Sequence, residues 1–197
     1  MPSQRLDPRA ELADAVREYE ASGDTAALLA RLEPVIAAGS PEALAEAVEP
    51  WRTVPEIAGP VYEKIVAERP DDARALVALA NAYWLTGRGP EVVGELANRA
   101  IAADPANRAA WHLWALSESN PRERTTRWRQ VSQRFPEDDL ARANFADNAA
   151  SLAGAEHDPV ALKLAIAAYE ELLARATRPE QKNALEGALM TLRKWRP

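Results

Sequence analysis

Histidines are the side chains of this chain best suited to acid–base or metal chemistry, and there are two of them, His112 and His157. A general base or a metal site needs such a group held beside partners of suitable type and spacing. His157 is followed by Asp158 and Pro159, a run that is typical of a helix start with Asp158 as its N-cap. The chain contains no cysteine, which excludes thiolate nucleophiles, disulfides and sulfur-ligated zinc. The sequence therefore predicts no catalytic residue, no metal and no cofactor, and it indicates a protein that is not an enzyme.

Carboxylates form two clusters, at residues 71–72 and 137–139, and both clusters stand where helices are predicted to begin. Negative charge is favoured at a helix N-terminus by the helix dipole, so neither cluster requires a catalytic role. The 8 glycines stand mostly singly, and the run 87–89 lacks both the phosphate-loop pattern and a preceding strand. No nucleotide site is predicted.

The charge and hydropathy of the chain narrow the choice of partner. A net charge of -6 argues against nucleic acid as the main partner, because phosphate binding depends on lysine and arginine. Residues 1–20 carry charges throughout and have no apolar core of the kind that a secretory leader needs. The longest charge-free run, 75–87, has 13 residues and is shorter than the ~17 needed to cross a bilayer. We expect a cytoplasmic protein that does not associate with membranes.

The elements that would position any site are predicted to be helices. Alanine, leucine, glutamate and arginine dominate, and no long stretch alternates apolar with polar residues. Many of the 15 prolines fall where a helix begins or has ended. The N-caps are predicted to be Asp24, Ser40, Asp71, Asn120 and Asp158. The predicted helices cover residues 7–21, 24–38, 41–49, 56–68, 72–86, 90–103, 106–119, 121–134, 137–153, 159–176 and 179–195.

A repeat of about 34 residues is visible in the prolines, since Pro70, Pro105 and Pro136 are separated by 35 and 31 residues. Around the first of these intervals, large, small and aromatic residues recur at helical spacing on the two helices. They are Leu76, Leu79, Ala80, Tyr83, Gly87, Val93, Ala97, Ala100 and Pro105. This pattern resembles the tetratricopeptide repeat (TPR), a helical hairpin in which Gly87 would permit the sharp reversal between helices.

The resemblance extends over most of the chain. Residues 9–42 fit the same register with Leu12, Ala15, Val16, Tyr19, Gly23, Leu28, Leu32 and Val35. The resemblance implies a single TPR-like domain over residues 1–197, an all-α, right-handed superhelical stack of antiparallel helix hairpins (an α-solenoid) with 10 to 11 helices. Its repeats would cover residues 9–42, 43–72, 73–107, 108–138 and 139–176, with a C-terminal capping helix at 179–195.

The resemblance also implies where a partner would bind. TPR arrays direct certain positions of their inner helices into a concave groove. Transferred by position, the groove residues are Arg17, Arg74, Val77, Asn81, Trp84, His112, Leu116 and Asp147, with Asn144 beside them. Asn81 stands where carboxylate-binding members use an asparagine, whereas Val77 replaces their lysine. We therefore expect a protein-interaction module that binds a peptide or a partner surface in the groove.

Two further groups of residues leave alternatives open. Of the 6 tryptophans, Trp111, Trp114 and Trp128 occupy repeat core positions and are predicted to pack inside the fold. The segment 121–134 carries five arginines against Glu123 alone, a net of +4. It is interpreted either as a solvated helix face or as an anion-recognising strip. The alternatives to a peptide-binding module are therefore an RNA- or polyanion-binding helical repeat and a homo-oligomerising structural protein.

Overall fold

The computed structural model describes residues 7–195, and all of the regular structure in that range is helical. The first six residues, on which part of the prediction about a leader depends, lie outside the described residues. The helices are α1 Pro8–Ser22, α2 Thr25–Ala38, α3 Pro41–Val48, a 3-10 turn Glu49–Trp51, α4 Pro55–Glu68, α5 Ala73–Leu85, α6 Pro90–Ala103, α7 Arg108–Leu116, α8 Pro121–Arg134, α9 Asp139–Glu156, α10 Pro159–Arg175 and α11 Pro179–Lys194. The all-α prediction is confirmed. No helix within residues 7–195 is both long enough and apolar enough to cross a bilayer.

Proline is the first residue of α1, α3, α4, α6, α8, α10 and α11, where its missing N–H costs nothing. The predicted caps Asp24, Ser40, Asn120 and Asp158 each accept a backbone N–H of their helix's first turn. The predicted cap Asp71 is wrong, because Asp72 caps α5 by accepting the Ala75 N–H at 3.0 Å. The Asp72 N–H donates to the Arg69 carbonyl at 3.2 Å, which ends the preceding turn at Asp72.

Consecutive helices pair as hairpins. Helix α1 packs with α2, α3 with α4, α5 with α6 and α9 with α10, and α11 packs on α10. At the turn between α5 and α6, Gly87 has φ +70° and Gly89 has φ +98°. These values lie in the region that L side chains rarely adopt, so glycine permits the reversal that the sequence predicted there.

The chain forms two compact units, Met1–Leu113 (unit 1) and Trp114–Pro197 (unit 2). The core of unit 1 is built from large aliphatic side chains with almost no exposure, namely Leu12, Leu28, Leu32, Leu44, Ile57, Ile65 and Leu76. The core of unit 2 combines Trp128, Val131 and Phe145 with many small side chains, among them Ala141, Ala146, Ala149, Ala153 and Ala165. The single domain and the repeat limits predicted from the sequence stay predictions.

Most helices agree with the prediction to within one residue at each end, and α7 and α9 depart from it furthest. Helix α7 begins at Arg108 and not at 106, because Asn107 accepts the Ala110 N–H at 3.2 Å and so caps the helix there, and it ends at Leu116 and not at 119. Helix α9 begins at Asp139 and not at 137, because Asp138 is its N-cap, and it continues past Gly154 to Glu156 and not to 153. It ends at His157, which adopts φ +52° and donates its N–H to the Ala153 carbonyl.

The tryptophan prediction is confirmed for one of three residues. Trp128 is 3% exposed and lies in the core of unit 2. Trp111 and Trp114 are only half-buried. Each of these two lies partly at the surface, and the indole N–H of Trp111 donates to the Pro105 carbonyl at 3.0 Å.

Candidate functional site

Helix α5 carries the largest group of predicted binding residues on one surface. Arg74, Val77, Asn81 and Trp84 follow each other at intervals of three or four residues, so they share one face of the helix. We call this group the α5 surface. Arg74 and Asn81 are exposed, Val77 is half-buried, and Trp84 is 39% exposed. The residues on the other side of the helix, Leu76, Leu79 and Ala80, are buried.

A cavity of about 720 Å³ lies in unit 1 where the α5 surface begins. Its lining comes from α1, α3, α4 and the start of α5, and it includes Arg74 together with Arg9, Glu46, Glu49, Tyr62 and Arg69. Burial, with a contribution from Glu49, raises the pKa of the Tyr62 hydroxyl. Both signs of charge are present, which suits a polar chain segment better than a purely anionic ligand.

Two of the charged residues around this cavity have partners. Arg69 forms an ion pair with Glu42, and Glu49 lies 3.7 Å from Arg52. The carboxylate of Glu46 has no ion pair among the residues that the structure describes. Since Glu46 and Arg74 lie on the lining of one cavity, they can contact opposite charges of one ligand.

The other predicted residues of unit 1 lie apart from this cavity lining. Arg17 is exposed on α1, and its guanidinium pairs with Asp14 at 2.9 Å. His112 is half-buried on α7. Neither residue lines the cavity, whose α1 contribution is Arg9.

In unit 2, the predicted binding residues make contacts within the fold. Leu116 is half-buried. The side-chain amide of Asn144 donates to the Leu140 carbonyl at 2.9 Å, one turn earlier on α9. Asp147 accepts a hydrogen bond from the Tyr169 hydroxyl of α10. Burial and this carboxylate raise the pKa of Tyr169. The Asp147 contact joins α9 to α10. The side chains of Asn144 and Asp147, which were predicted to face a ligand, thus make hydrogen bonds within the fold.

The arginine-rich helix α8 is tied to the end of α7 and to the turn between the two helices. The guanidinium of Arg127 donates to the Trp114 carbonyl at 2.9 Å, lies 2.6 Å from the Glu118 carboxylate, and stacks over the Trp114 ring at 4.6 Å. Arg124 donates to the Glu118 carbonyl at 3.1 Å and to Asn148 of α9 at 2.8 Å. Both side chains therefore hold unit 2 together.

A third arginine of α8 bridges to the turn between α9 and α10. Arg122 pairs with Glu156 and lies 3.2 Å from Asp158. These hydrogen bonds raise the pKa of Arg122. The pKa of Asp158 is lowered by backbone N–H groups of Ala161 and Val160, and further by Arg122. With three of its five arginines engaged in this way, α8 offers less free positive charge than its sequence indicates.

A second cavity of unit 1, of about 420 Å³, was not predicted from the sequence. Its lining includes Leu29, Glu56, Glu63, Tyr83 and Arg88, which come from three helices and a turn. Burial and the hydrogen bond to Glu63 raise the pKa of Tyr83 to about 12. No sequence signal could have joined these residues, because Tyr83 was interpreted only as part of the repeat pattern and its partner Glu63 lies 20 residues earlier.

Within residues 7–195, no group of three or more histidine, aspartate or glutamate side chains is placed to hold a metal ion.

Within each unit, helices pack as hairpins on their neighbours in the chain, and the fold class is an α-solenoid of helix hairpins. The particular form is TPR-like. A thermophilic TPR protein of Thermus thermophilus has a similar crystal structure, with a TM-score of 0.56 over 93% of this chain and 99% of that chain. Sequence identity is 18%, so the similarity shows the fold and not the function. No family model matches the sequence, and no curated protein matches it at a significant level.

Proposed function

We propose that this protein is a non-catalytic interaction module that binds a peptide or a partner surface on the α5 surface. The observation that carries the proposal is the exposure of Trp84, a large aromatic side chain at the surface beside the exposed amide of Asn81. Tryptophan is enriched among the residues that dominate binding energy at protein interfaces. TPR-like folds generally act as protein–protein interaction scaffolds, which supports the same class of function.

The α5 surface is preformed, which favours binding. Asp72 caps the helix and Leu76, Leu79 and Ala80 anchor its other face in the core, so the helix need not order when a partner arrives. A rigid surface loses little conformational entropy on association. Trp84 can therefore serve as an aromatic anchor, with Asn81 supplying hydrogen bonds to a peptide backbone.

The cavity of about 720 Å³ places charged side chains at the N-terminal end of the α5 surface. Arg74 belongs to both, so a segment lying along α5 would reach from Trp84 to the charged residues of the cavity. The assignment of Arg17, His112, Leu116, Asn144 and Asp147 to the binding site stays a prediction from the TPR resemblance.

The test is affinity capture from a cell lysate with the double variant Asn81→Ala/Trp84→Ala. Both side chains are exposed, so the variant should keep its helical circular dichroism while losing the proteins that the wild type captures. A matched control is Val92→Ala/Asn98→Ala, which removes an exposed apolar side chain and an exposed amide from the neighbouring helix α6. The control should capture the same proteins as the wild type. An unchanged captured set for the α5 double variant would show that the α5 surface is not the binding site.

A further inference from the structure

The cavity of about 420 Å³ in unit 1 has an apolar floor. It lies among α2, α4 and the end of α5, and Leu29, Pro60 and Ala82 contribute to its lining. Leu29 is 43% exposed, although the neighbouring Leu28 and Leu32 are buried. Covering an exposed leucine beside a concavity with another apolar group removes apolar surface from water, which favours binding.

A cation-binding corner adjoins this floor. The Tyr83 hydroxyl donates to Glu63 Oε1 at 2.8 Å, which holds an aromatic ring next to a carboxylate. The guanidinium of Arg88 lies 4.9 Å from the centre of the Tyr83 ring and 3.6 Å from Glu63. An aromatic face together with a carboxylate is the arrangement that recognises a guanidinium, and the side chain of Arg88 occupies it in this structure.

The hold on Arg88 is weak, however. Its side chain is 60% exposed, and ion pairs at such exposure contribute little to stability. Arg88 stands between Gly87 and Gly89, both at positive φ, and its backbone N–H donates to the Tyr83 carbonyl at 3.0 Å, so the turn is held by its backbone and not by the Arg88 side chain. A guanidinium from another molecule can therefore replace it without disturbing the packing of α5 and α6.

The rim of the cavity favours a cation. Glu56 lies on α4 seven residues before Glu63, so the two carboxylates lie on the same side of the helix, two turns apart. Glu56 has no ion pair among the residues that the structure describes. Two carboxylates and one arginine leave a net negative charge at this cavity, which complements a basic ligand.

We propose that this cavity is a second docking site, which binds a partner segment carrying an aliphatic side chain next to an arginine. The aliphatic side chain packs against Leu29, and the arginine replaces Arg88 over the Tyr83 ring and beside Glu63. The site shares no residue with the α5 surface, so it goes beyond the function proposed above and can be tested separately. Arginine suits the site better than lysine because its planar guanidinium can stack on the ring while it bonds the carboxylate.

The test uses the full chain, labelled with nitrogen-15, and the capped dipeptide N-acetyl-leucyl-arginine amide at millimolar concentrations. Amide chemical shifts should change around Leu29, Glu63 and Arg88. Removal of the internal competitor by Arg88→Ala should tighten binding by up to about fivefold, whereas Glu63→Gln should weaken it by a similar factor. The matched control is Arg52→Ala, another exposed arginine of unit 1 paired with a glutamate, and it should leave the affinity unchanged.

The decisive variant is Arg88→Ala, because a merely structural role of this arginine would not make removal improve binding. Unchanged or weaker binding by this variant, with helical content retained, would overturn the proposal. If N-acetyl-leucyl-glutamate amide bound with equal affinity, the carboxylates would not be recognising a cation. If the corresponding lysine dipeptide bound with equal affinity, the site would not be selective for arginine. Shifts confined to other parts of the chain would place the ligand elsewhere.

Discussion

The two units use arginine in different ways. In unit 1, Arg74 and Arg88 line cavities, where Arg74 is exposed and Arg88 stays 60% exposed although it pairs with Glu63. In unit 2, Arg122, Arg124 and Arg127 bond to backbone carbonyls, an amide and carboxylates of their own unit. Three of the five arginines in the segment with the greatest positive charge are thus engaged in contacts within unit 2. Local charge in a sequence does not indicate a binding surface until the contacts of each side chain are known.

The aromatic side chains show the same contrast. Trp84 of unit 1 is 39% exposed, whereas Trp128 of unit 2 is 3% exposed. Both stand on helices with an apolar face, so composition alone does not separate them. Their surroundings make Trp128 a core residue and leave Trp84 accessible for the binding role proposed above.

The largest expected effect comes from removing the buried tryptophan. Trp128→Ala should lower the free energy of unfolding by about 3 to 5 kcal/mol, since it deletes a large side chain from a packed core. Trp84→Ala should change it by no more than about 0.5 kcal/mol. Urea denaturation followed by circular dichroism measures both values. Equal losses for the two variants would contradict the contrast between the units.

Removing single arginines of α8 should have a smaller effect on stability than removing Trp128, and it tests whether the engaged arginines hold unit 2 together. Arg127→Ala should cost about 1 to 3 kcal/mol, because it breaks charge-assisted hydrogen bonds and a cation–π contact at a half-buried site. Arg129→Ala, an exposed arginine of the same helix, should stay within about 0.5 kcal/mol. The same denaturation experiment applies. If both variants unfold at the wild-type urea concentration, the arginines of α8 do not hold unit 2 together.

Loss of an N-cap side chain should lower the free energy of unfolding by a similar amount in either unit, so in this respect the two units do not differ. Asp72→Ala in unit 1 should lower the free energy of unfolding by about 1 kcal/mol through loss of the cap of α5. The neighbouring Asp71→Ala should have almost no effect, because the structure gives the cap to Asp72. Thermal denaturation of the two variants side by side would decide between them, and a larger loss for Asp71→Ala would restore the assignment made from the sequence.

The smallest expected effect concerns pH in unit 2. Because the pKa of Asp158 is lowered in the folded state, its carboxylate stabilises the fold above its ordinary pKa and loses that effect as the pH falls through the lowered value. Asp158→Asn keeps a capping side chain but removes the titration. The variant should therefore lose less stability than the wild type between about pH 5 and pH 2, measured by urea denaturation at each pH. Parallel pH profiles would show that Asp158 does not contribute.

Most of the fold could be predicted because its signals are local. A proline at the first position and a side-chain cap just before it mark the starts of α3, α8 and α10, and glycine marks the reversal after α5. Where two residues could serve equally well, the sequence could not decide. Asp71 and Asp72 are such a pair, and the hydrogen bond from Asp72 to Arg69 made the choice.

The candidate sites were less predictable because they depend on distant residues. The exposed positions of Trp84 and Asn81 agree with what the TPR resemblance implied for them. The pairing of Tyr83 with Glu63, and of Arg122 with Glu156, joins residues 20 and 34 positions apart. Helical periodicity shows which face a side chain occupies, and it does not show which side chain of another helix it will meet.

The helices that pack most extensively are one or two elements apart in chain order. Contacts between elements that are close in the chain give a low contact order, which is associated with rapid folding. It also makes the architecture extensible, since a copied or deleted hairpin disturbs only the elements next to it. Evolution can therefore lengthen a chain of this kind, or alter one face of it, without redesigning the whole.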